Sequence, residues 1–537
     1  MVILFTGNKL NIIRKNTRSL LLCFFLCTNT LFQMKANIET IEQDNSTLEI
    51  LLTDDAFEGY NLFVLERRND QENEILNQTI LITDLEGNIY LSREFPKTTS
   101  LDYLNIEFIN STTLLYGDFS DAKIWNIETN YTKSISMYGH HDYEKNYAND
   151  TYFAISKYVA NIEGIDYLFD IVREYTEEGT VVWQLDTRNF TSHEYWCPYE
   201  DMVETWRDIT HTNTVFYDED EDMIYISCRS INTIYKIDHK TKEVVWSLGE
   251  YGNFRLFNRY GNEIDIMFYH QHALEKIDEN SFLIFDNDEH NQTDNQNKQS
   301  RLLEFQIDTE KMFANVTWDW IAPETYYTGW YGDCDLLPNN NRLGTFGTSW
   351  HPGTRIGARL VEVDYDGKIV WKMDFDKISS ESFVIYSMER FHFAPIVSEP
   401  RITDYGTNGS LVEWDIWYNF RSKTHFQGEY FITIDDELVE TATIDFPKYW
   451  KPTTKSFHLD ESYKDIQEIS LVVADEGGHL SNESDLYSST GKLSFKSYPS
   501  LALILGLSIG LPVITGIAVI IILEVTNKIS IFKRKQV

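Results

Sequence analysis

IYKIDHKTKEVVWSLG, residues 234–249, alternates apolar and polar side chains on both sides of a turn carrying Asp, His, Lys and Thr. Alternation at period two around a polar turn predicts a β-hairpin, because a helix would repeat its apolar face every three to four residues. Working outward, related phrases stand at residues 80–91 (ILITDLEGNIYL), 122–135 (AKIWNIETNYTKSI), 171–186 (IVREYTEEGTVVWQLD), 302–320 (LLEFQIDTEKMFANVTWDW) and 359–375 (RLVEVDYDGKIVWKMDF). They recur about every 40 to 65 residues, and a period of that size marks a repeat architecture. A second kind of phrase alternates with them: DMIYISCRS from Asp222, SFLIFDND from Ser281 and NRLGTFGTS from Asn341. Two hairpins per period make a four-stranded unit, so the chain is predicted to be all-β, with a six-bladed β-propeller.

After residue 395 the phrase stops, and strands such as LVEWDIWYNF, GEYFITIDDELV and EISLVVADE predict an immunoglobulin-like β-sandwich. Residues 501–523 (LALILGLSIGLPVITGIAVIIIL) carry no charge and predict one C-terminal transmembrane helix. Lys528, Lys533, Arg534 and Lys535 follow it, which places the C-terminus on the cytoplasmic side. Lys9, Arg14, Lys15 and Arg18 precede a short apolar stretch, in the order of a signal peptide. The expected organisation is a signal peptide at 1–36, propeller at 37–395, sandwich at 396–482, linker at 483–499, transmembrane helix at 500–524 and basic tail at 525–537. It is that of a single-pass type I membrane protein whose ectodomain is lumenal or extracellular. Gly506 and Gly510 form G-x-x-x-G, a face on which two such helices can pair as a dimer.

Ten Asn-X-Ser/Thr sequons, at Asn45, Asn77, Asn110, Asn130, Asn149, Asn189, Asn291, Asn315, Asn408 and Asn482, all fall between the two ends and are expected glycosylation sites. Of five cysteines, Cys23 and Cys27 lie in the signal region, leaving Cys197, Cys228 and Cys334 to form one bridge and one thiol. A net charge of −38 disfavours nucleic-acid binding. It also repels small anions, so anion chemistry requires a local pocket of Arg and His.

Several motifs fail on context. G-x-S-x-G at Gly506–Gly510 lies inside the apolar run with no strand before it. Asp218, Asp220 and Asp222, and Asp286 and Asp288, alternate like calcium ligands but lack the Gly and distal Glu of that loop, and are expected to be solvated hairpin turns. No H-E-x-x-H, C-x-x-C or P-loop is present, so no metal and no cofactor is expected.

What remains is a series of histidines and one arginine at comparable points of successive repeats. These are His140 and His141 in YGHHDYE, His211 in DITHTN, His270 and His272 in FYHQHAL, Arg301 in NKQSRLLEF and His351 in TSWHPG. In a propeller such positions converge on the central channel.

The order H-T-N at His211, W-S-L-G at Trp246, Q-H-A at His272, F-D-N at Phe285, S-R at Arg301 and G-D-C-D-L-L-P near Asp333 resembles the arylsulfate sulfotransferases, and HHD at His140 and GYNLF at Gly59 extend the likeness over most of residues 50–395. The resemblance implies a six-bladed propeller that moves a sulfuryl group from a phenolic sulfate donor to a phenol acceptor through a sulfated histidine. It implies that His211, His272 and Arg301 bind the sulfuryl group, with His140 and His141 lining the substrate site. His351 takes the nucleophile's place, although TSWHPG departs from the family pattern there. The other reading is a catalytically inactive propeller serving as a surface receptor or adhesion protein.

Overall fold

Each of the six hairpin phrases forms two adjacent antiparallel strands, one pair in each of six successive sheets. A computed structural model describes residues 48–495 apart from 73, 97–104, 118–120, 199–205, 290–297, 352–353, 405–408, 461–465, 467, 483 and 489–492. The second sheet runs Ile106–Asn110, Thr113–Gly117, Ala122–Asn126, Tyr131–Ile135, and the third His140–Asn146, Thr151–Ile162, Ile165–Tyr175, Val181–Asp186. The fourth is Thr212–Asp218, Met223–Cys228, Thr233–Asp238, Val244–Gly249, and the fifth is built on His272–Lys276, Ser281–Asp286, Arg301–Asp308 and Phe313–Ile321.

The first and sixth sheets mix the ends of the region. Tyr60–Asn69 of the first pairs with Met388–Phe391 and Glu381–Val384, while Leu48–Leu52 joins the outer edge of the sixth beside Ile369–Asp376. Each sheet thus recruits a strand from the far end of the chain, and the two crossings fasten the region where it would otherwise open.

Hydrogen bonds between the first strands of neighbouring sheets run round a closed circuit. Asn105 Nδ2 donates to Asp142 Oδ1 (2.7 Å), and Val215 N to Asp142 Oδ2 (2.9 Å). Asn213 Nδ2 donates to the Gln271 carbonyl (2.7 Å), and the Cys334 thiol lies 3.6 Å from the Ala273 carbonyl. Met388 N donates to Asp333 Oδ2 (3.0 Å), and Ser387 Oγ to Asn105 Oδ1 (3.1 Å), which returns to the start. The fold is all-β and propeller-like.

The quoted hairpin shows why its residues sit where they do. Ile234 opposes Leu248 and Lys236 opposes Trp246, and a shift of register at Ile237 absorbs the turn, in which Lys242 takes φ +63° and donates its N–H to the Asp238 carbonyl. Ile234, Ile237 and Leu248 are buried. The recurrent tryptophan also has a structural reason. Trp183 Nε1 donates to the His239 carbonyl (2.7 Å), Trp320 Nε1 to Gly367 (3.0 Å) and Trp371 Nε1 to Leu85 (2.9 Å). In each case the acceptor lies in the outer turn of the next sheet, so the indole both fills the space between sheets and finds the partner a buried N–H requires.

Past Phe391 two further sheets follow. One pairs Ser410–Trp417 with Ile396–Val397, Arg401–Asp404 and Thr453–Leu459; the other contains Phe426–Ile434, Glu437–Phe446 and Glu468–Ala474. Val412, Trp414 and Ile416 of the first share a core with Tyr430, Ile432, Leu471 and Val473 of the second. The stretch expected to be a linker is in part strand: Ser484–Ser488 pairs with Glu468–Ala474, with Leu486 opposite Ile469, and Leu493–Phe495 pairs with it in turn.

Among the described residues no disulfide joins Cys197, Cys228 or Cys334, contrary to the expectation of one bridge. Cys228 and Cys334 are buried thiols, the first 3.5 Å from Thr212 Oγ1. The acidic turns are not simply solvated either: Asp218 is buried and accepts from Lys276 Nζ (2.6 Å) and Lys448 Nζ (2.7 Å), which hold its carboxyl down at about 2 despite burial. Among the described residues no helix is long and apolar enough to cross a membrane. The signal peptide, the apolar run at 501–523 with its G-x-x-x-G face and basic tail, and Asn45, Asn291 and Asn408 lie outside the described residues. Asn130, Asn149, Asn189 and Asn482 are exposed, whereas Asn77 is half-buried with its amide donating to Glu94.

Candidate functional site

Three sheets deliver histidines to one place because each starts its first strand there. His140 and His141 begin the strand His140–Asn146, His211 immediately precedes Thr212–Asp218, and His272 begins His272–Lys276. His141, His211 and His270 all take left-handed backbone, with φ of +64°, +44° and +54°. That conformation costs a side-chain-bearing residue roughly 1–2 kcal/mol, and such residues gather at functional sites. The His141 ring lies 4.9 Å from that of His211 and 6.0 Å from that of Tyr386, and His272 lies 6.1 Å from the same Tyr386. The His140 ring lies 4.8 Å from that of His141, so the rings of His140, His141, His211 and His272 are grouped around Tyr386.

Each imidazole is oriented by an acceptor behind it. His211 Nδ1 is 2.7 Å from Asp208 Oδ2. His272 Nδ1 is 2.7 Å from Asn287 Oδ1, and the Asn287 amide nitrogen donates to the Thr328 and Tyr331 carbonyls, so its oxygen must face the histidine. Both rings therefore carry the proton on Nδ1 and can present Nε2 elsewhere. Burial holds His272 well below the usual histidine range, and the nearby Arg229 guanidinium pushes the same way. Burial likewise holds His141 well below that range.

Arg301 stands elsewhere. Its Nε donates to Asp286 Oδ2 (2.8 Å), Nη1 reaches Asp319 Oδ2 (3.3 Å) and Nη2 donates to the Met267 carbonyl (2.7 Å). Those bonds tie the fifth sheet to the segment before it rather than to the histidines. The guanidinium beside the histidines is that of Arg229, in the phrase SCRS at the end of Met223–Cys228. Arg229 is buried, its N–H donates to the His211 carbonyl (3.2 Å), and its Nη2 donates to the Gly329 carbonyl (3.3 Å). In sequence SCRS reads only as the end of a strand; what marks its arginine is position, one repeat after His140 and one strand after His211.

His351 ends the strand Arg342–His351 and pairs in register with Thr354. Its side chain lies outside the described residues. Nearby, several buried polar atoms make no hydrogen bond among the described residues: Ser230 Oγ beside Arg229, Gln271 Oε1 beside His272, and Thr348 Oγ1 and Ser349 Oγ in the strand that His351 ends. An unsatisfied buried polar atom costs about 1–3 kcal/mol, so a concentration of them suits a polar ligand.

Tyr386, which faces His141 and His272, also borders an acidic cavity. A cavity of about 80 Å³ is lined by Glu107, Asp142, Glu144, Glu275, Asp333, Asp335 and Glu389, with Tyr386 on its wall. Burial pushes Asp142 and Asp333 up to about 7. The cations that answer this ring come from the C-terminal sheets: Lys423 bonds Glu144 (2.6 Å) and Glu107 (3.1 Å), and Arg421 bonds Glu275 and the Lys276 carbonyl. Among the described residues no group of three or more His, Cys, Asp or Glu is arranged to hold a metal ion.

A family model described as Arylsulfotransferase (ASST) matches residues 54–387, more than half of the chain. A search of curated proteins gave no match. Among solved structures the chain resembles a periplasmic gluconolactonase of Pseudomonas aeruginosa (TM-score 0.34, 9% identity, 74% of this chain and 99% of that one). It also resembles a putative 6-phosphogluconolactonase of Bacteroides fragilis (TM-score 0.34, 12% identity, 74% and 98%). At such TM-scores these likenesses carry no conclusion about this chain.

Proposed function

Starting from the fact that this chain belongs to the arylsulfotransferase family, we propose that it moves a sulfuryl group from a phenolic sulfate ester to a phenol, through a sulfated histidine. The observation that carries the reading is the cluster of His141, His211 and His272 beside the permanent charge of Arg229, with Tyr386 joining it to a cavity rich in carboxylates. Sulfuryl transfer, like phosphoryl transfer, spreads charge over oxygens around a loosely bonded centre, so catalysis rests on positioning and fixed positive groups. Arg229 supplies a permanent forked donor for those oxygens. His211, held by Asp208, gives a proton to the leaving phenolate and takes one from the acceptor phenol. His272, kept neutral by burial, orients the group through Nε2.

In this reading the six sheets are the blades of a propeller and the two C-terminal sheets an immunoglobulin-like sandwich, whose Arg421 and Lys423 close the channel end opposite the histidines. Donor and acceptor then use the same mouth in turn, which gives ping-pong kinetics. The apolar run at 501–523 holds the enzyme on a membrane with the site on the lumenal or outer side, and exposed sequons such as Asn149 and Asn189 carry glycans.

The test is turnover. The full chain, given a chromogenic aryl sulfate and a phenol, releases chromophore and forms the new sulfate ester, with parallel lines in double-reciprocal plots. Absence of turnover across a panel of aryl sulfates, with no sulfated protein, overturns the proposal and leaves a binding protein.

A further inference from the structure

Two adjacent histidines share a hydrogen bond that fixes which nitrogen of each is protonated. His140 Nδ1 lies 2.5 Å from His141 Nδ1, and His140 Nε2 lies 3.0 Å from Asp170 Oδ1. Asp170 is buried, and its other oxygen accepts from Thr210 Oγ1 (2.7 Å) and the Thr212 N–H (2.6 Å). Its carboxyl is held down at about 2, the bonds from His140, Thr212 and Thr210 outweighing burial, so it is an acceptor only. His140 Nε2 must therefore carry a proton. Burial keeps His140 neutral, which leaves its Nδ1 as an acceptor. His141 Nδ1 must then be the donor of the 2.5 Å bond, and the lone pair of neutral His141 is on Nε2, the ring edge remote from His140.

We propose that His141 is the nucleophile that accepts the sulfuryl group, positioned by His140 and Asp170 acting through it. The inference rests on the sulfuryl-transfer reading above and names a residue within it. His141 Nε2 forms the N–S bond as the S–O bond to the aryl group breaks. The aryl oxygen leaves with that electron pair and takes a proton from the His211 imidazolium, which becomes neutral. His141 is left as an N-sulfo imidazolium, its Nδ1–H still donated to His140, and the charge is answered by Asp170 at the end of the chain of bonds. In the second half the acceptor phenol gives its proton to His211, its oxygen attacks sulfur, and the N–S electron pair returns to Nε2. His272 is not equivalent, because its Nδ1 donates to the neutral amide of Asn287, which offers the developing cation no charge. Left-handed backbone at His141 turns its ring out of the alternation of its strand, toward His211 and Tyr386.

The experiment uses the full chain with a chromogenic aryl sulfate and no acceptor, quenched in alkali and digested. The expected result is a burst of chromophore and a sulfuryl mass gain fragmenting to His141. His141→Gly abolishes the burst, and added imidazole restores release of chromophore with formation of sulfated imidazole. Asp170→Asn keeps the bonds from Thr210 and Thr212 but presents an amide N–H to His140, which reverses both tautomers and puts the proton on His141 Nε2. Its burst rate falls about 10²- to 10⁴-fold with an unchanged KM for donor, the loss seen when the orienting carboxylate of a triad is amidated. A merely structural Asp170 would instead lower thermal stability and leave the burst of the folded fraction intact, and that result removes the positioning role. Label on His351 or another histidine, with the burst surviving in His141→Gly, overturns the assignment while sulfuryl transfer stands. Absence of both turnover and label in the wild type overturns the assignment together with the reading it rests on.

Discussion

Lys423 Nζ lies 2.6 Å from Glu144 Oε2, although 279 residues separate them in sequence. The lysine comes from the turn between the two C-terminal sheets and the glutamate from the first strand of the third sheet. Lys423 is partly buried, and the hydration it loses is offset by Glu107 and Glu144 together. Glu144 is buried and Glu107 partly so, and the two carboxylates would repel one another without the lysine.

Lys423→Met therefore removes the one partner those glutamates share. Breaking a buried ion pair costs about 3–5 kcal/mol, and here the loss is expected near the upper end because two carboxylates are stranded. Chemical denaturation of the variant should show a lowered midpoint, and Lys423→Met combined with Glu107→Gln and Glu144→Gln should recover most of it. A variant as stable as the wild type would show that the contact contributes nothing.

The two arginines separate by kinetics and by stability. Arg229→Lys keeps the charge beside His272 but loses the planar fork, so kcat with an aryl sulfate is expected to fall about 10²-fold or more at unchanged melting temperature. Arg301→Lys loses its split between Asp286, Asp319 and the Met267 carbonyl, and should lower the melting temperature while the folded enzyme keeps its kcat. The opposite pattern returns Arg301 to the site.

His479 bonds Asp475 Oδ2 (2.7 Å) and Glu128 Oε1 (2.9 Å), and these bonds raise it to about 10 against the opposing effect of burial. A group raised from about 6.5 to about 10 contributes stability that is complete below pH 6.5 and is lost as pH rises toward 10. The melting temperature should fall across that window, and His479→Gln should flatten the fall. Raised Asp142 and Asp333 act in the same direction from pH 4 to 7, because the folded state there binds protons the unfolded state has released. Unfolding measured from pH 4 to 10 should place the stability maximum on the acid side of neutrality.

Trp371→Phe keeps most of the apolar volume between the sixth and first sheets but strands the Leu85 carbonyl that the indole N–H satisfies. The expected loss is about 1–3 kcal/mol, read by urea denaturation with an unchanged m-value. A neutral result would mean that packing alone holds the two sheets there.

Alternation at period two, turn residues and a repeat length are local properties, and they sufficed for the six hairpins, from Ile80 to Phe375, because a strand's side chains alternate whatever the strand packs against. The same locality explains the misplacements. Asp218 and Asp286 look like solvent-facing turn residues until Lys276, Lys448 and Arg301 arrive from distant segments. Residues 484–495 look like a tether until Ile469 lies opposite Leu486.

At the site, residue types were legible and their partners were not. Sequence alone showed that His140, His141, His211, His270, His272, Arg301 and His351 stand at comparable points of successive repeats in an all-β chain, because each follows or precedes a recurring strand phrase. Only the tertiary structure decided that the neighbouring guanidinium belongs to Arg229 rather than Arg301, and that Asp170 stands behind His140. Hydrogen bonds across sheets depend on distances set by ring closure, through pairs such as Tyr60–Asn69 with Met388–Phe391, and no spacing along the chain encodes them.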